Sequence, residues 1–399
     1  SGHELKPKER CKIKSINYNE IVNETWTSSA IRVKIKLILF LVYEHPTGFS
    51  YRDWKGFVFK NALFFNLHSE NESVIENDWR KIKEVVASNT AHLLSEGDGD
   101  IMGASTSGSG RLKVYNGSYQ ARERSYSFKH SYMKFFYKEK TRARSFYKLK
   151  KTNNISAESY VVNRLNEELD GKVLLDVVKN HGLKFNPSSK SGFKNLINSV
   201  LKVPKNRRLY DLAIKNITIK TIPVNDKNKP WESMSFPKFS LMDMLNESWG
   251  EDGEKEECVF KSLITQAFIL IPVIKEKEVV IVNNKRTKKF KSWVTWKIGR
   301  PFFWRIKESD LKIVENEWLS AQKIVEKGVV TKKVRWGGKY RQENNLLKQS
   351  NTERIHIRPH AKNSNDIDLP FFEKQKIKIS WQSFWLNKNF IEGLIKASR

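Results

Sequence analysis

Two kinds of apolar patterning run along the chain. Segments whose apolar residues return every three or four positions predict helices. In "ESVIENDWRKIKEVVASNTAHLL", Val74, Ile75, Trp79, Ile82, Val85 and Val86 fall on one side. "SAESYVVNRLNEELDGKVLLDVVKNHGL" and "SGFKNLINSVLKV" read as helical too. Continuous apolar runs, "LILFLVY" (37–43) and "AFILIPVI" (267–274), predict buried strands. Ahead of the first run, "AIRVKIKLILFLVYE" alternates Arg32, Lys34 and Lys36 with apolar residues, so strand structure is expected from that alternation onward. "NITIKTIPVN" (216–225) is a β-branched run closed by a proline and a polar turn, another strand. Neither apolar run approaches the roughly 20 residues that cross a bilayer. The opening "SGHELKPKERCKIK" has no apolar signal-peptide core.

These elements group into two domains, 1–145 and 156–399, joined by a linker at 146–155. The second domain echoes the first. "VIENDWRKIKEVVASN" (74–89) matches "IVENEWLSAQKIVEKG" (313–328), and "RSYSFKHSYM" (124–133) matches "QSFWLNKNFI" (382–391). "KIKLILFLVYE" (34–44) matches "KSLITQAFILIPVIKE" (261–276) in type and place. Three echoes in one order predict two related domains and argue against a solenoid.

Charge changes the picture. The 399 residues carry 73 Lys and Arg against 44 Asp and Glu, a net charge of +29. Self-repulsion on that scale calls for a polyanion, with nucleic acid favoured over an anionic membrane surface. The tracts "ARERSYSFKHSYMKFFYKEKTRARSFYKLKK", which contains Lys129, and "KRTKKFKSWVTWK" interleave cations with aromatics and suit phosphate contacts. For any single lysine, solvated surface is the competing reading. Apolar residues reach 39%, enough for real cores. Two cysteines, Cys11 and Cys258, exclude a disulfide framework and a cysteine-rich zinc site and fit a reducing, cytoplasmic setting. The eight histidines show no ligand spacing. The chain opens on Ser1, not methionine, and reads as a fragment or a processed or tagged form.

One stretch comes close to nuclease chemistry. "LYDLAIKNITIKTIPVN" sets Asp211 ahead of Thr218 and Lys220. Residues two apart on a strand share a side, so a carboxylate there could hold Mg²⁺ while the lysine faces the attacking water. Thr218 is a poor substitute for that carboxylate. On the residues alone, a half-buried strand with a solvated lysine is the favoured reading.

In order, "IKTIPVNDKNKPWESMSF", "AFILIPVIKE", "GRPFFWRI", "VENEWLSAQKIVEKG", "IHIRPHAKNSND" and "SFWLNKNF" resemble the MutH endonuclease family. "YNEIVNETW", "ENDWRKIKEVV", "AHLLSEGD" and "RSYSFKHSYM" in the first half make the layout similar to the GATC-cutting type II restriction endonucleases, which carry two MutH-like domains. The resemblance implies an α/β restriction-endonuclease-like fold in each domain, a mixed central sheet flanked by helices. It also implies Mg²⁺-dependent cleavage of double-stranded DNA in the cytoplasm, with dimerisation on DNA as a further expectation and no membrane partner.

Carried over by position, the second domain keeps Asp211 and Lys220, with Ser199 where a helical glutamate belongs and Thr218 where the strand glutamate belongs. That implies a copy that binds DNA without cutting. Catalysis then falls to the first domain. There "HELK" supplies Glu4, as a metal ligand, and Lys6, read either as the catalytic strand or as the polar turn after it; the remaining carboxylates are expected upstream of Ser1. Lys34 matches a family lysine on the strand facing the scissile phosphate. A base-reading loop matches Arg358, Pro359 and His360, with His360 in place of a lysine. Its first-domain equivalent is "GDGDIMGASTSGSG", with Ser105 and Thr106, otherwise a flexible linker. Lys129 and Trp385 complete the expected DNA-binding set. The alternatives are a non-cutting DNA-binding fragment and a mismatch-repair nicking enzyme.

Overall fold

A computed structural model of the protein describes residues 11–44, 56–67, 71–95, 99–107, 111–141, 146–149, 155–187, 189, 191–250, 256–282, 285–336, 339–361, 363 and 366–399. The chain forms two compact units, each mixed α/β. The first runs to Leu149 and regains Asn206–Asn216; the second holds the remainder. The stretch 206–216, expected in the second domain, therefore folds with the first. Ile214 joins the first core, and the Tyr210 ring lies 5.2 Å from that of Phe135.

In the first unit β1 (Cys11–Ser15), β4 (Met102–Thr106) and β5 (Arg124–Phe128) form an antiparallel sheet in the order β1-β5-β4. β2 (Leu37–Glu44) and β3 (Val58–Asn66) form a separate antiparallel hairpin. The helices are α1 (Tyr18–Ile21), α2 (Ala30–Ile35), α3 (Glu72–Ala87) and α4 (His130–Thr141). The expected strand start at "AIRVKIK" is instead α2. The Ser29 hydroxyl accepts from the Arg32 amide as an N-cap, and Ile31 and Ile35, one turn apart, are the buried pair. Charged side chains alternating with apolar ones thus satisfied a short helix as well as a strand.

The second unit contains α5 (Ala157–Leu169), α6 (Gly192–Val200), β6 (Ile217–Val224), β7 (Met234–Phe239), α7 (Leu241–Asn246), α8 (Val259–Ile264), β8 (Ala267–Ile274), β9 (Phe302–Trp304), α9 (Glu308–Lys327), β10 (Ile355–Pro359), β11 (Gln382–Leu386) and α10 (Lys388–Ala397). β6 pairs parallel with β8, and β8 antiparallel with β9. β7, β11 and β10 make a three-stranded antiparallel sheet in that order.

Some features of the two units match. Each sheet of three has the same order, with Ser105 opposite Ser125 in one and Arg358 opposite Ser383 in the other. Trp79 of α3 lies 5.7 Å from Trp26, and Trp318 of α9 lies 5.7 Å from Trp249. One residue before each helical tryptophan stands a carboxylate. Asp78 accepts from the amides of Asp100, Ile101 and Met102; Glu317 accepts from those of Glu353, Arg354 and Ile355. These charge-assisted bonds satisfy the donors at the start of β4 and β10, which would otherwise be costly to bury. The "ENDW" and "ENEW" echoes are the sequence trace of this clamp.

The two apolar runs fare differently. β8 is buried on both faces, as expected. β2 is not: Ile38 and Phe40 pack on the core, while Leu37, Leu39, Leu41 and Tyr43 are exposed.

Candidate nucleic-acid interface

On β10, Ile355 and Ile357 enter the core with Phe384 and Leu386 of β11. Strand alternation then puts His356, Arg358, Ser383 and Trp385 on the opposite face. His356 is buried, and its Nδ1 donates to Asn387 Oδ1. Asn387 Nδ2 in turn donates to the Thr352 carbonyl at 2.9 Å. Burial lowers the His356 pKa, the Asn387 bond opposes this, and the Arg358 charge adds to the lowering, so the ring is held neutral.

Beyond it, Arg358, Pro359 and His360 are exposed. The Arg358 guanidinium lies 4.9 Å from the Trp385 ring, and the His360 ring 5.9 Å from it. The His360 amide donates to the Trp381 carbonyl at 2.8 Å, and Lys238 Nζ stands 4.4 Å from the Trp381 ring. An exposed, aromatic-backed group of cations results. A guanidinium presented in this way can grip guanine O6 and N7 bidentately. The expected loop is in fact a strand end: Arg358 and Pro359 terminate β10, and only His360 lies past it. Lys238 and Trp381 were not singled out from sequence, because their approach depends on β7 pairing with β11.

The same positions of the first unit are built differently. Ser105, expected in a flexible reading loop, is a buried residue of β4 whose hydroxyl reaches the Ser125 carbonyl at 3.5 Å. Thr106 ends that strand opposite Arg124. Where His356 faces Trp385, Gly103 faces Ser127. Lys129, expected on DNA, donates from Nζ to the Gly99 carbonyl at 2.7 Å and ties the chain locally. Tyr126, Phe128, Tyr132, Phe135 and Phe136 of its basic tract are core residues, so only the tract's charged side chains are left for the expected phosphate contacts. Lys34 is exposed, on α2 and not on a strand. Glu4 and Lys6 lie outside the described residues.

The catalytic-pattern residues of the second half each bond to a partner of their own. Thr218 Oγ1 donates to Gln266 Oε1 at 3.4 Å. Lys220 Nζ donates to the Ser235 carbonyl at 2.7 Å and lies 5.1 Å from the Phe236 ring. Burial pushes the Lys220 pKa down to about 8. Ser199 Oγ is 3.4 Å from His181 Nδ1. Asp211 belongs to the first unit, on the short helix Tyr210–Ile214, where it accepts from the Leu149 amide at 2.9 Å. Among the described residues no group of three His, Cys, Asp or Glu side chains could hold a metal ion. The surroundings of Thr218 and Lys220 therefore do not fit Mg²⁺. Among the described residues, no helix is long and apolar enough to cross a membrane.

Comparison with known proteins agrees with the fold. The family described as DNA mismatch repair enzyme MutH matches residues 1–78. The type II restriction enzyme Sau3AI of Staphylococcus aureus is 24% identical over 427 aligned residues, spanning 98% of this chain and 83% of that protein. The chain is thus a relative of the MutH-like restriction endonucleases, tied to the mismatch-repair enzyme through its first unit and to a restriction enzyme along nearly its whole length.

Proposed function

We propose that the protein belongs to a type II restriction endonuclease acting on GATC-like sites in double-stranded DNA, built from a duplicated MutH-like domain. The second unit binds DNA and does not cut; the first is the cutting type, with Mg²⁺ as its metal. The observation that carries this reading is the exposed Arg358 backed by Trp385 and His360, on a unit whose Thr218 and Ser199 replace metal-binding carboxylates. In the second unit, Arg358 engages a base edge while Lys238 and neighbouring cations hold phosphates and fix register. No hydrolytic step is assigned to it, because no carboxylate group among its described residues fits a metal.

The test is incubation of the protein with GATC-containing duplex and Mg²⁺. Site-limited cutting supports the reading. Binding with no preference for GATC over scrambled duplex sinks it. A second reading, a protein that only binds DNA, draws on the lack of a metal-holding group among the described residues. It requires sequence-specific binding unchanged by EDTA with no cutting on adding Mg²⁺, and cutting by this chain would exclude it.

A further inference from the structure

Asp78 and Glu317 hold matching places in the two units, so the chain between each carboxylate and the strand it clamps can be compared. Asp78 and the first amide it accepts from, that of Asp100, are 22 residues apart; Glu317 and its first, that of Glu353, are 36 apart. The second unit thus has 14 residues more at this place, and one feature there has that length. Thr331–Trp336 and Lys339–Asn344 pair antiparallel, from Thr331 opposite Asn344 to Trp336 opposite Lys339, as a ribbon over 331–344.

The ribbon is set into the frame at a closed neck. The Val330 amide donates to Asn345 Oδ1 at 2.9 Å, and the Asn345 amide to the Val330 carbonyl at 3.2 Å. One residue further out, Val329 and Leu346 are buried in the second core. The Leu347 carbonyl then accepts from the Ile357 amide at 3.0 Å, so the chain leaves the ribbon alongside β10, the strand that carries Arg358. None of the ribbon's described residues joins the core. A two-stranded ribbon is marginal by itself, so core packing does not account for its presence.

Its charge points to a partner. The ribbon sequence has five cations, Lys332, Lys333, Arg335, Lys339 and Arg341, against the single carboxylate Glu343. That carboxylate already stands 3.8 Å from Lys348. Lys332 and Arg335 are exposed, and three residues apart on a strand they fall on opposite faces. Cations on both faces suit a DNA groove, whose two walls are both lined with phosphate, and the major groove admits a two-stranded ribbon. Six residues of strand reach about 20 Å, or roughly six base steps.

We propose that 331–344 is a DNA-contacting arm, an inserted basic ribbon that lies in a groove beside the bases engaged by Arg358 and grips phosphates of the flanking duplex. This rests on the second unit binding DNA. It goes beyond that reading in assigning contact outside the recognised sequence, independent of base identity, to an insertion that the shorter connection of the first unit does not contain.

The experiment removes the ribbon where its ends already meet, with two glycines in place of 331–344 between Val330 and Asn345. An unchanged thermal melt checks that the core is intact. Binding is measured on duplexes of about 10 and about 30 base pairs, each with GATC or a scrambled sequence at its centre, over a range of salt. The intact chain should bind the long duplex about tenfold tighter than the short one, and the deletion should remove most of that gain while leaving the short duplex unaffected. The salt slope on the long duplex should fall by about 2–4, at roughly 0.9 for each phosphate released. Lys332→Glu together with Arg335→Glu, which keeps the ribbon, should reproduce the loss, and decides alone if the deletion lowers the melt. Unchanged long-duplex binding and salt slope in the variants would overturn the arm and leave its charges to an acidic protein partner. Equal losses on the short and long duplexes would overturn it too, by placing the ribbon on the recognised sequence. Failure of the GATC reading is read separately: the intact chain would lose its preference over scrambled duplex and keep the gain from length.

Discussion

The guanidinium of Arg358 lies over the ring of Trp385, 4.9 Å from its centre, at the exposed end of β10. The ring restricts where the guanidinium can point before DNA arrives, which lowers the ordering cost of a bidentate contact. Arg358→Ala should weaken binding to the specific site by about 1–3 kcal/mol and to random duplex much less. Trp385→Leu should lose a smaller part of the same preference. Fluorescence-anisotropy titrations on matched and scrambled duplexes check both. Equal losses on the two would make Arg358 a phosphate contact.

Binding should weaken steeply with salt, because each neutralised phosphate releases condensed counterions. With a net charge of +29 the protein has cations in excess. The logarithm of the affinity should fall linearly with the logarithm of the salt concentration, and Lys238→Ala should reduce the slope by about 1. A flat response would remove the basic surface as the binding face.

Lys220 gives stability a pH dependence of unusual sign. Its folded pKa, about 8, lies below the ordinary lysine value because burial beside Phe236 disfavours the charge. Between pH 8 and 10.5 the unfolded chain holds the proton that the folded chain has released, so stability rises with pH across that window. Below it, the charged form costs about 3 kcal/mol. Lys220→Met should stabilise the protein at pH 7 and flatten the alkaline rise. Denaturant melts at pH 7 and pH 9.5 would show this, and an unchanged slope in the variant would assign the rise elsewhere.

Asp78→Ala should leave the amides of Asp100, Ile101 and Met102 without an acceptor inside a buried site, at roughly 2–4 kcal/mol. Glu317→Ala should cost less, since Glu317 is only half-buried and water can reach its donors. Asp78→Asn, which keeps one acceptor oxygen, should fall between wild type and alanine. Thermal melts of the three variants provide the ranking.

Periodicity made α3, α9 and α5 legible, because their apolar faces repeat over several turns. The ordered echoes fall on α3 and α9, which carry the matching tryptophan pairs, and strand β6 was visible as a β-branched run. α2 was misread because six residues satisfy helical and strand spacing together, and the Ser29 cap that decides between them is weak evidence alone. At the candidate interface, the exposed Arg358 and His360 were picked out by the motif. Their platform was less so: Trp385 lies on a distant strand, and only the pairing of β10 with β11 brings it beneath Arg358. Ser105 failed for a related reason. A run of small residues reads as flexible, yet here they are small because β4 is packed on both sides. Asp211 stood seven positions before Thr218 in the pattern, but the chain turns between them and gives the two residues to different units.

The carboxylate clamp has a consequence for how such a protein could change its target. Asp78 and Glu317 each grip the backbone at the first residues of a strand, β4 and β10, whatever side chains follow. The strand therefore starts from a fixed origin, and the third residue beyond the last clamped amide faces the same way in both units: Ser105 in one, Arg358 in the other. Side chains at these positions can be exchanged without the strand slipping. Segments 102–106 and 355–359 thus share a backbone origin, so one could be transplanted onto the other in register.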